Sequence, residues 1–259
     1  GAIETRKFFQ PMLAKDWHDY SDENIFGYSQ PKLDGVRCIL KADGMWSRNG
    51  KPIVSCPHII EAFEPWFQKN RDTIFDGELY SDKLSDNFEK LISVARQQKP
   101  TEEDFDLSKQ YLKIHMYDYP SVDELFHERS LHLKITYNTM FAKEQRMVAE
   151  LVETVQIESS DHRDALYGKY MELGYEGQML RASIAKYKAG RQKQLTKRKE
   201  FLDSEFELLG VTEGQGNWAG YAKSVRIRVE GDLEQDCGIR GNRAFCKNLL
   251  EEKDKYISG

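Results

Sequence analysis

Cysteine is scarce in this 259-residue chain, and its four cysteines show no CxxC spacing. Cys38, Cys56, Cys237 and Cys246 therefore indicate neither a zinc site nor a disulfide framework, and a reducing, intracellular setting is expected. No apolar run approaches the roughly 18 residues of a membrane span, and the first residues lack a secretory pattern. We therefore expect no membrane partner and a cytoplasmic location.

Positive charge is in slight deficit overall, because 38 lysines and arginines stand against 43 acidic residues. The net charge of −5 does not by itself favour a nucleic-acid partner. Residues 181–199, however, carry eight lysines and arginines and no acid, while acids concentrate at 101–106 and 249–255. A basic face on an acidic protein is a footprint for binding polyanions. The alternative is a solvated charge run.

Alternating hydrophobicity and turn residues predict strands, and helical spacing predicts helices, in both halves of the first 200 residues. Strands are predicted at 36–42, 73–80 (interrupted at Asp76-Gly77), 111–119, 175–182 and 191–199. Helices are predicted at 86–98, 122–133, 143–153 and 161–173, the last ending at Gly174. Residues 97–108 are predicted to be a short lid-like or disordered segment.

The pattern changes after about residue 202. Residues 204–217 and 223–232 read as consecutive strands around a glycine-rich turn, and a final helix is predicted at 243–256. We therefore predict two domains, residues 1–202 and residues 203–259, with the second a small β-barrel or sheet module.

The stretch SQPKLDGVRC, residues 29–38, places Lys32, Asp34, Gly35 and Arg37 within six positions. A lysine amine attacks phosphorus only when it is deprotonated, and nearby cations or a metal are physical means of lowering its pKa. Gly35 would let the backbone and a nucleotide approach closely. Asp34 has no clear task beyond a turn-stabilising or metal-adjacent one.

Further candidates lie on later predicted strands. Glu78 and Glu176 each neighbour a glycine and could coordinate a hydrated divalent ion, although each alone also fits an exposed acid at a strand end. Lys197 and Lys199 are two apart on a strand, so they face the same way and suit a phosphate clamp. Tyr117 could stack on a base or pack at the edge of the core.

The order of these residues resembles a known family. Motifs I, Ia, III, IIIa, IV and V of the covalent nucleotidyltransferase superfamily are matched by Lys32, Arg48, Glu78, Tyr117, Glu176, and Lys197 with Lys199. The chain resembles ATP-dependent DNA ligases from the PMLA segment at 11–14 through residue 199, with Tyr187, Gly190 and Arg191 also matching. Each motif is weak alone, but six in order are specific.

The resemblance implies an α+β fold: a nucleotidyltransferase (ATP-grasp-like) catalytic domain of antiparallel sheets with flanking helices, then an OB-fold β-barrel. It implies ATP and Mg²⁺ (or Mn²⁺) as cofactors and nicked duplex DNA as partner. It also implies a monomeric, nucleoid-associated protein of the kind frequent in phages and viruses. The implied reaction seals a 5′-phosphate/3′-hydroxyl nick through a lysyl-AMP intermediate and AMP-capped DNA.

The resemblance also implies a role for each matching residue. Lys32 would be the nucleophile that takes AMP from ATP. Glu176 would bind the metal, and Glu78 would contact the ribose or the metal. The nucleotide would be held by Gln30, Pro31, Lys32, Arg37, Arg48, Glu78, Tyr117, Lys197 and Lys199. Of these, Gln30 would read the adenine edge and Tyr117 would stack on adenine. Arg37 and Arg48 would contact the ribose or the nick phosphate. DNA would be contacted by Arg48, Arg181, Lys186, Lys188, Arg191 and Lys193.

Two departures and several alternatives accompany the resemblance. The roughly 57 residues after position 202 are few for a five-stranded OB-fold, and no basic-acidic motif VI is found near the end. We therefore expect an incomplete OB module and slow self-adenylation. The alternatives are an RNA ligase, a capping guanylyltransferase and a non-catalytic nick- or end-binding protein. An NAD-dependent ligase is disfavoured, because this sequence has neither the room for the extra N-terminal domain of that class nor the cysteines for its zinc module.

Overall fold

The computed structural model describes residues 8–20, 27–82, 88–199, 206–239 and 242–257. Residues 8–199 hold two five-stranded sheets and are called here the first module. Residues 206–257 hold a three-stranded sheet and are called the second module. The predicted boundary at residue 202 lies outside the described residues and stays a prediction. Within these described ranges, no helix is both long and apolar enough to cross a bilayer.

The elements alternate along the chain without an internal repeat. The described strands are β1 (Met12–Asp16), β2 (Gly27–Lys32), β3 (Val36–Lys41), β4 (Gly44–Trp46), β5 (Phe75–Tyr80), β6 (Lys113–Asp118), β7 (Ala149–Leu151), β8 (Val155–Gln156), β9 (Gly177–Ala182), β10 (Gly190–Arg198), β11 (Glu207–Glu213), β12 (Ala222–Glu230) and β13 (Leu233–Gly238). The described α-helices are α1 (Pro57–Lys69), α2 (Phe88–Ala95), α3 (Glu102–Tyr111), α4 (Phe126–Ile135), α5 (Lys143–Val148), α6 (Ser160–Glu172), α7 (Arg243–Glu251) and α8 (Lys253–Tyr256).

The first sheet has the strand order β1-β10-β9-β2-β8. Its β2–β9 pair is antiparallel and sets Lys32 opposite Gly177, while the amide of Glu176 donates to the carbonyl oxygen of Lys32 at 3.1 Å. This register places Lys32 and Glu176 at the same end of two neighbouring strands. The expectation of wholly antiparallel sheets is wrong at β1–β10 and at β6–β7, both of which are parallel.

The second sheet has the order β4-β3-β5-β6-β7. Antiparallel pairing sets Arg37 opposite Glu78 and Glu78 opposite His115. The predicted interruption at Asp76-Gly77 is wrong, because β5 is continuous and the β5–β6 register shifts there instead. A side chain at Gly77 would overlap the carbonyl oxygen of His115, so the close strand approach requires glycine.

Aromatic side chains fill the core on one face of the second sheet. Helix α1 buries Ile59, Phe63, Trp66 and Phe67, which follow helical spacing. The rings of Phe63 and Phe141 meet edge to face, with centroids 5.2 Å apart. Burial of one such side chain is worth about 1.5–3 kcal/mol, so this helix anchors the sheet that carries Glu78.

Two predicted segments differ from the structure. The lid-like segment predicted at 97–108 is wrong over its second half, because α3 begins at Glu102. Thr101 caps that helix: its hydroxyl accepts from the amide of Asp104 at 3.1 Å, and the Asp104 carboxylate accepts from the Thr101 amide at 2.9 Å. The helix predicted at 143–153 ends at Val148, and its last residues form β7. The predicted stop at Gly174 is confirmed, since that glycine has φ +86°.

The second module is an antiparallel β11-β12-β13 sheet followed by α7 and α8. Its described strands do not close into a barrel, so the expected OB-fold is not confirmed. The mixed α+β class is confirmed. The modules touch where the amide of Asn217 donates to the carbonyl oxygen of Ser81 and where Arg243 stacks 4.7 Å from the ring centroid of Phe88.

Candidate active site

A cavity of about 490 Å³ opens between the two sheets of the first module. Many of the residues singled out in the sequence line it: Pro31, Lys32, Arg37, Arg48, Glu78, Tyr117, Arg181, Arg191 and Lys197. They come from strands of both sheets, so the sheet pairing and not their spacing in sequence brings them together. Glu176 and Lys199 line a second cavity, of about 520 Å³, which lies between the modules.

One carboxylate joins the two cavities. The Nζ of Lys32 lies 3.1 Å from Oε2 of Glu176, and Lys199 forms an ion pair with Oε1 of the same carboxylate. Burial raises the pKa of Glu176, but the two ammonium groups outweigh burial and hold that pKa below its ordinary value. Glu176, the residue just before β9, thereby fixes Lys32 at the wall of the first cavity.

Cations outnumber this carboxylate at the wall. Burial, then Lys32, Arg191 and Lys199, lower the pKa of Lys197, which shows that these positive groups lie close enough to repel one another. A cluster of this kind is relieved by an anion with several oxygen atoms. The arrangement therefore suits a phosphate group placed beside Lys32.

Glu78 and Tyr117 form the deeper wall. The Tyr117 hydroxyl donates to Oε1 of Glu78 at 3.1 Å. Burial raises the pKa of Glu78 to about 7, against the opposing effects of Arg37 and Lys32. The Tyr117 ring has Arg37 and Arg181 at 5.5 and 5.2 Å from its centroid. The glutamate consequently titrates near neutral pH, beside an aromatic ring that lines the cavity.

Arg37 is held by a buried carboxylate. Its Nε and one terminal nitrogen donate to the two oxygens of Asp76, each at 2.6 Å, and that nitrogen also donates to the Met12 carbonyl at 2.8 Å. The Tyr187 hydroxyl donates to Asp76 at 2.7 Å. Burial disfavours the charged guanidinium, but Asp76 prevails, and the pKa of Arg37 lies well above its ordinary value. The structure thus gives Arg37 a structural partner, while its expected contact with ribose or phosphate stays a prediction.

Gln30 and Arg181 differ from their expected positions. Gln30 is 1% exposed, its amide donates to the Tyr117 carbonyl and to Thr154, and its oxygen accepts from Arg181 at 2.7 Å. Arg181 is 4% exposed and donates to Asp118 at 2.8 Å. The side chain of Gln30 therefore braces the cavity from behind. The Arg181 guanidinium pairs with the fully buried Asp118, which also pairs with Arg129, and the expected contact of Arg181 with DNA stays a prediction.

Four other basic residues of the 181–199 segment lie at the surface. Lys186, Lys188, Arg191 and Lys193 are exposed. Lys186 pairs with Asp123 at 3.0 Å, and Arg191 donates to the Ala14 carbonyl at 2.8 Å. Because Arg191 also lines the first cavity, this basic strip begins at the cavity wall.

Sequence reasoning missed Arg198 and Arg96. The Arg198 guanidinium lies between Trp17 and Tyr167, 4.2 and 4.4 Å from their ring centroids, and pairs with Asp164 at 2.7 Å. It fixes β10 from the face opposite Lys197, a placement that strand alternation already indicated. Arg96 follows α2 and lines the first cavity, which no local sequence signal showed.

Gly35 provides clearance of a kind different from the one expected. A side chain at this position would overlap the Leu79 carbonyl oxygen and lie 2.8 Å from Cγ of Glu78. The glycine therefore lets the segment after Lys32 pass close to β5. This close approach is between two parts of the protein, and because Gly35 also lines the first cavity, its expected approach to a nucleotide stays a prediction.

Residues 11–199 match the family described as ATP dependent DNA ligase domain. The chain therefore belongs to this family, and the resemblance drawn from its motif order is confirmed. A DNA ligase of African swine fever virus (isolate Pig/Kenya/KEN-50/1950) is 24% identical over 229 residues, covering 83% of this chain and 52% of that protein. A DNA ligase of Enterobacteria phage T4 is 23% identical over 161 residues, covering 57% of this chain and 33% of that protein.

A solved structure, the Chlorella virus DNA ligase-adenylate, shares the fold. It superposes with a TM-score of 0.61 at 20% identity, covering 97% of this chain and 92% of that one. The chain spans between a third and about half of the length of the curated relatives described above. Family membership and fold are therefore established, and the activity rests on the site.

Proposed function

We propose that the chain transfers AMP from ATP to Lys32 as the first step of sealing nicks in duplex DNA. The neutral Nζ of Lys32 attacks the α-phosphorus, a P–N bond forms, and the bond to the β-phosphate oxygen breaks as pyrophosphate leaves. The Lys32 ammonium gives one proton to water before the attack, and its nitrogen gives a second proton to water as the P–N bond forms. The observation that carries this proposal is the Lys32 amine, held 3.1 Å from Glu176 at the wall of a cavity ringed by further cations.

The residues around Lys32 supply positioning and charge neutralisation, which provide most of the catalysis in phosphoryl transfer. Glu176 orients the amine, and Lys197 with Lys199 hold the oxygens of the α-phosphate. Tyr117 offers its ring to the adenine. Glu78 accepts a hydrogen bond from a ribose hydroxyl when ionised, a state that its raised pKa permits from about pH 7 upward.

A divalent metal ion would find one carboxylate at this wall, that of Glu176, and would compete for it with the ammonium groups of Lys32 and Lys199. Mg²⁺ usually takes one or two protein carboxylates and keeps several waters. The described residues contain no group of three or more histidine, cysteine or acidic side chains arranged for a metal. Glu176, whose side chain is 22% exposed, would hold the ion together with water and nucleotide phosphates. The ion would neutralise developing charge on the phosphates.

The remaining steps concern DNA. AMP on Lys32 passes to the 5′-phosphate of a nick, and the 3′-hydroxyl then displaces AMP and closes the strand. The exposed Lys188, Arg191 and Lys193 provide phosphate contacts of the salt-dependent, sequence-independent kind. We further propose that the second module is part of an OB-fold, since its three antiparallel strands lie in the region shared with the viral ligase structure. An intracellular location follows from this substrate.

The test is incubation with ATP labelled at the α-phosphate and Mg²⁺, followed by a denaturing gel. Acid-labile label on the wild type and on Lys69→Ala, an exposed lysine on α1, but not on Lys32→Ala, is expected. Sealing of pre-adenylated nicked DNA is then compared with sealing of its RNA counterpart, which identifies the polynucleotide substrate. If the wild type neither takes up label from ATP nor seals pre-adenylated nicks, the proposal is overturned in favour of a binding protein.

A further inference from the structure

The two sheets of the first module carry the two ends of the proposed AMP transfer. Lys32, the proposed nucleophile, ends β2 of the first sheet, and Tyr117, the proposed platform for adenine, lies on β6 of the second. A nucleotide on the Tyr117 ring can present its α-phosphorus to Lys32 only if these two strands keep one spacing. The contacts that cross from β2 to β6 therefore bear on the reaction.

One side chain crosses this gap directly. The amide nitrogen of Gln30 donates to the carbonyl oxygen of Tyr117 at 3.0 Å, and Gln30 is 1% exposed. Gln30 precedes Lys32 by two positions on β2, so the two side chains leave the same face of the strand. The Gln30 side chain thus joins the strand of the nucleophile to the backbone of Tyr117 itself.

The orientation of the Gln30 amide is fixed by its neighbours. Its oxygen accepts from Nε of Arg181 at 2.7 Å, and its nitrogen also donates to the Thr154 hydroxyl at 2.8 Å. That hydroxyl donates its own hydrogen to the Val152 carbonyl, so toward Gln30 it can only accept. Both amide hydrogens of Gln30 are therefore engaged within the protein, and none is left to read the edge of a base.

Arg181 is held in turn by the carboxylate that follows Tyr117. One terminal nitrogen of Arg181 donates to Asp118 at 2.8 Å, and the fully buried Asp118 also pairs with Arg129 at 2.8 Å. A buried carboxylate requires such partners, because an unpaired one would carry a large desolvation cost. Since Arg181 lies on β9, which pairs with β2, its guanidinium is a second link between the first sheet and β6.

We propose that Gln30 and Arg181 are positioning residues that together form a brace, which sets the spacing between Lys32 and Tyr117. They act through the two strands and touch neither the base nor the reacting atoms. This role rests on the proposed function. It takes the place of the expected reading of the adenine edge by the Gln30 side chain, so selection of the base falls to other groups of the cavity.

Gln178 supplies a matched control for Gln30. It is a fully buried glutamine on β9, and its amide also donates two hydrogen bonds, to the Ser29 hydroxyl at 2.8 Å and to the Arg163 carbonyl at 3.0 Å. These partners lie on β2 and α6, and neither belongs to the second sheet. Gln30→Met and Gln178→Met each remove two such bonds, so a difference between them in AMP transfer has a cause other than lost stability, which urea unfolding checks.

The spacing between the sheets can be measured without the reaction. All four native cysteines are free and buried, so spin labels attach selectively to cysteines introduced at the exposed Gln156, on β8, and Asp43, beside β4. Pulsed electron resonance then gives the distribution of distances between the first and the second sheet. Gln30→Met should broaden that distribution, and Gln178→Met should leave it as in the wild type. An unchanged distribution in Gln30→Met would overturn the proposal.

A milder variant covers the case in which Gln30→Met does not fold. Thr154→Val keeps the size of the side chain and removes one of the two acceptors that hold the Gln30 amide. It should broaden the same distribution by a smaller amount, because the Tyr117 contact of Gln30 is still present. A distribution identical to that of the wild type would count against the brace in the same way.

AMP transfer separates a brace from a reader of the base. Gln30→Met should slow label incorporation at saturating ATP by about ten- to a hundredfold, the range expected for a misplaced nucleophile, and should keep the preference for ATP over GTP. Arg181→Lys should slow it similarly, and the combination should add little, because both substitutions open the same brace. Gln178→Met should not slow it.

Two results of this assay would overturn the brace. A lost preference for ATP in Gln30→Met would show that this side chain reads the base, and equal slowing by Gln178→Met would show that lost stability is the cause. A wild type that never labels would overturn the proposed function alone, and the distances would still decide whether Gln30 sets the spacing of the sheets.

Discussion

The amine of Lys32 and the amine of Lys199 share the two oxygens of one carboxylate, that of Glu176. The carboxylate comes from the residue just before β9, and the lysines come from the end of β2 and from just after β10. Three chain segments thus converge on one charge. A phosphate that enters beside Lys32 would meet two cations already oriented toward the same point.

Glu176→Gln is expected to remove a pH-dependent contribution to stability. The folded-state pKa of Glu176 lies below the ordinary 4.5, so its contribution is present above about pH 5 and is lost as pH falls through the lower folded value. Urea unfolding of both proteins should therefore differ most at neutral pH and converge in acid. A difference that stays constant from pH 7 into the acid range would contradict the shared carboxylate.

Glu78 should have the opposite pH dependence. Its folded-state pKa of about 7 exceeds the ordinary 4.5, so the folded protein binds a proton that the unfolded chain has already released between these values. The contribution of Glu78 to stability is complete below about pH 4.5 and declines as pH rises to about 7. The stability of wild type relative to Glu78→Gln should fall over this range, and a rise would show that the carboxyl group is not desolvated.

Asp76→Asn should destabilise the first module strongly. The substitution leaves the Arg37 guanidinium, held by two 2.6 Å hydrogen bonds, without its buried counter-charge. Removal of one partner from a buried ion pair costs about 3–5 kcal/mol. The matched control is Asp43→Asn, whose exposed carboxylate lies 3.8 Å from Lys41 and whose loss should change the free energy of unfolding by less than about 0.5 kcal/mol. Equal effects of the two substitutions would refute this account of Arg37.

Gly35→Ala should lower stability by about 1–3 kcal/mol, because the added methyl group meets the backbone of β5 and the side chain of Glu78. Gly168→Ala is the control. Gly168 lies on α6, and a methyl group there meets no atom within 4 Å beyond the nearby backbone of its own helix, so the substitution should raise stability by about 0.5–1 kcal/mol. Thermal unfolding of both variants checks the pair, and a neutral Gly35→Ala would show that β5 can move away.

Local patterns predicted much of this molecule. The strand that carries Arg37 lies where it was predicted, although three consecutive residues of it are buried and its burial does not alternate. The helix before Gly174 ends where the glycine predicted. Lys32, Glu78, Tyr117 and Lys197, which the order of motifs singled out, line one cavity. The Thr101–Asp104 cap was equally local, and the acidity of the segment concealed it.

Long-range partners could not be read from the chain. Arg181 looked like one member of a basic run, and only the fold shows the buried Asp118, 63 positions away, that takes up its charge. Gln30 was expected to face a ligand, yet its amide is consumed by Arg181 and by two groups from distant segments. The sequence gives the residue types, and the long-range contacts of the folded chain decide which of these side chains are already engaged within the protein.

The central claim is covalent chemistry at one lysine, and peptide mass mapping after incubation with ATP and Mg²⁺ tests it most directly. Digestion at neutral or alkaline pH preserves an acid-labile phosphoramidate. The account predicts a single adenylyl group on the peptide that contains Lys32, absent in Lys32→Ala and retained in Lys69→Ala. An adenylyl group on a different residue, or none on a wild-type chain that seals pre-adenylated nicks, would contradict it.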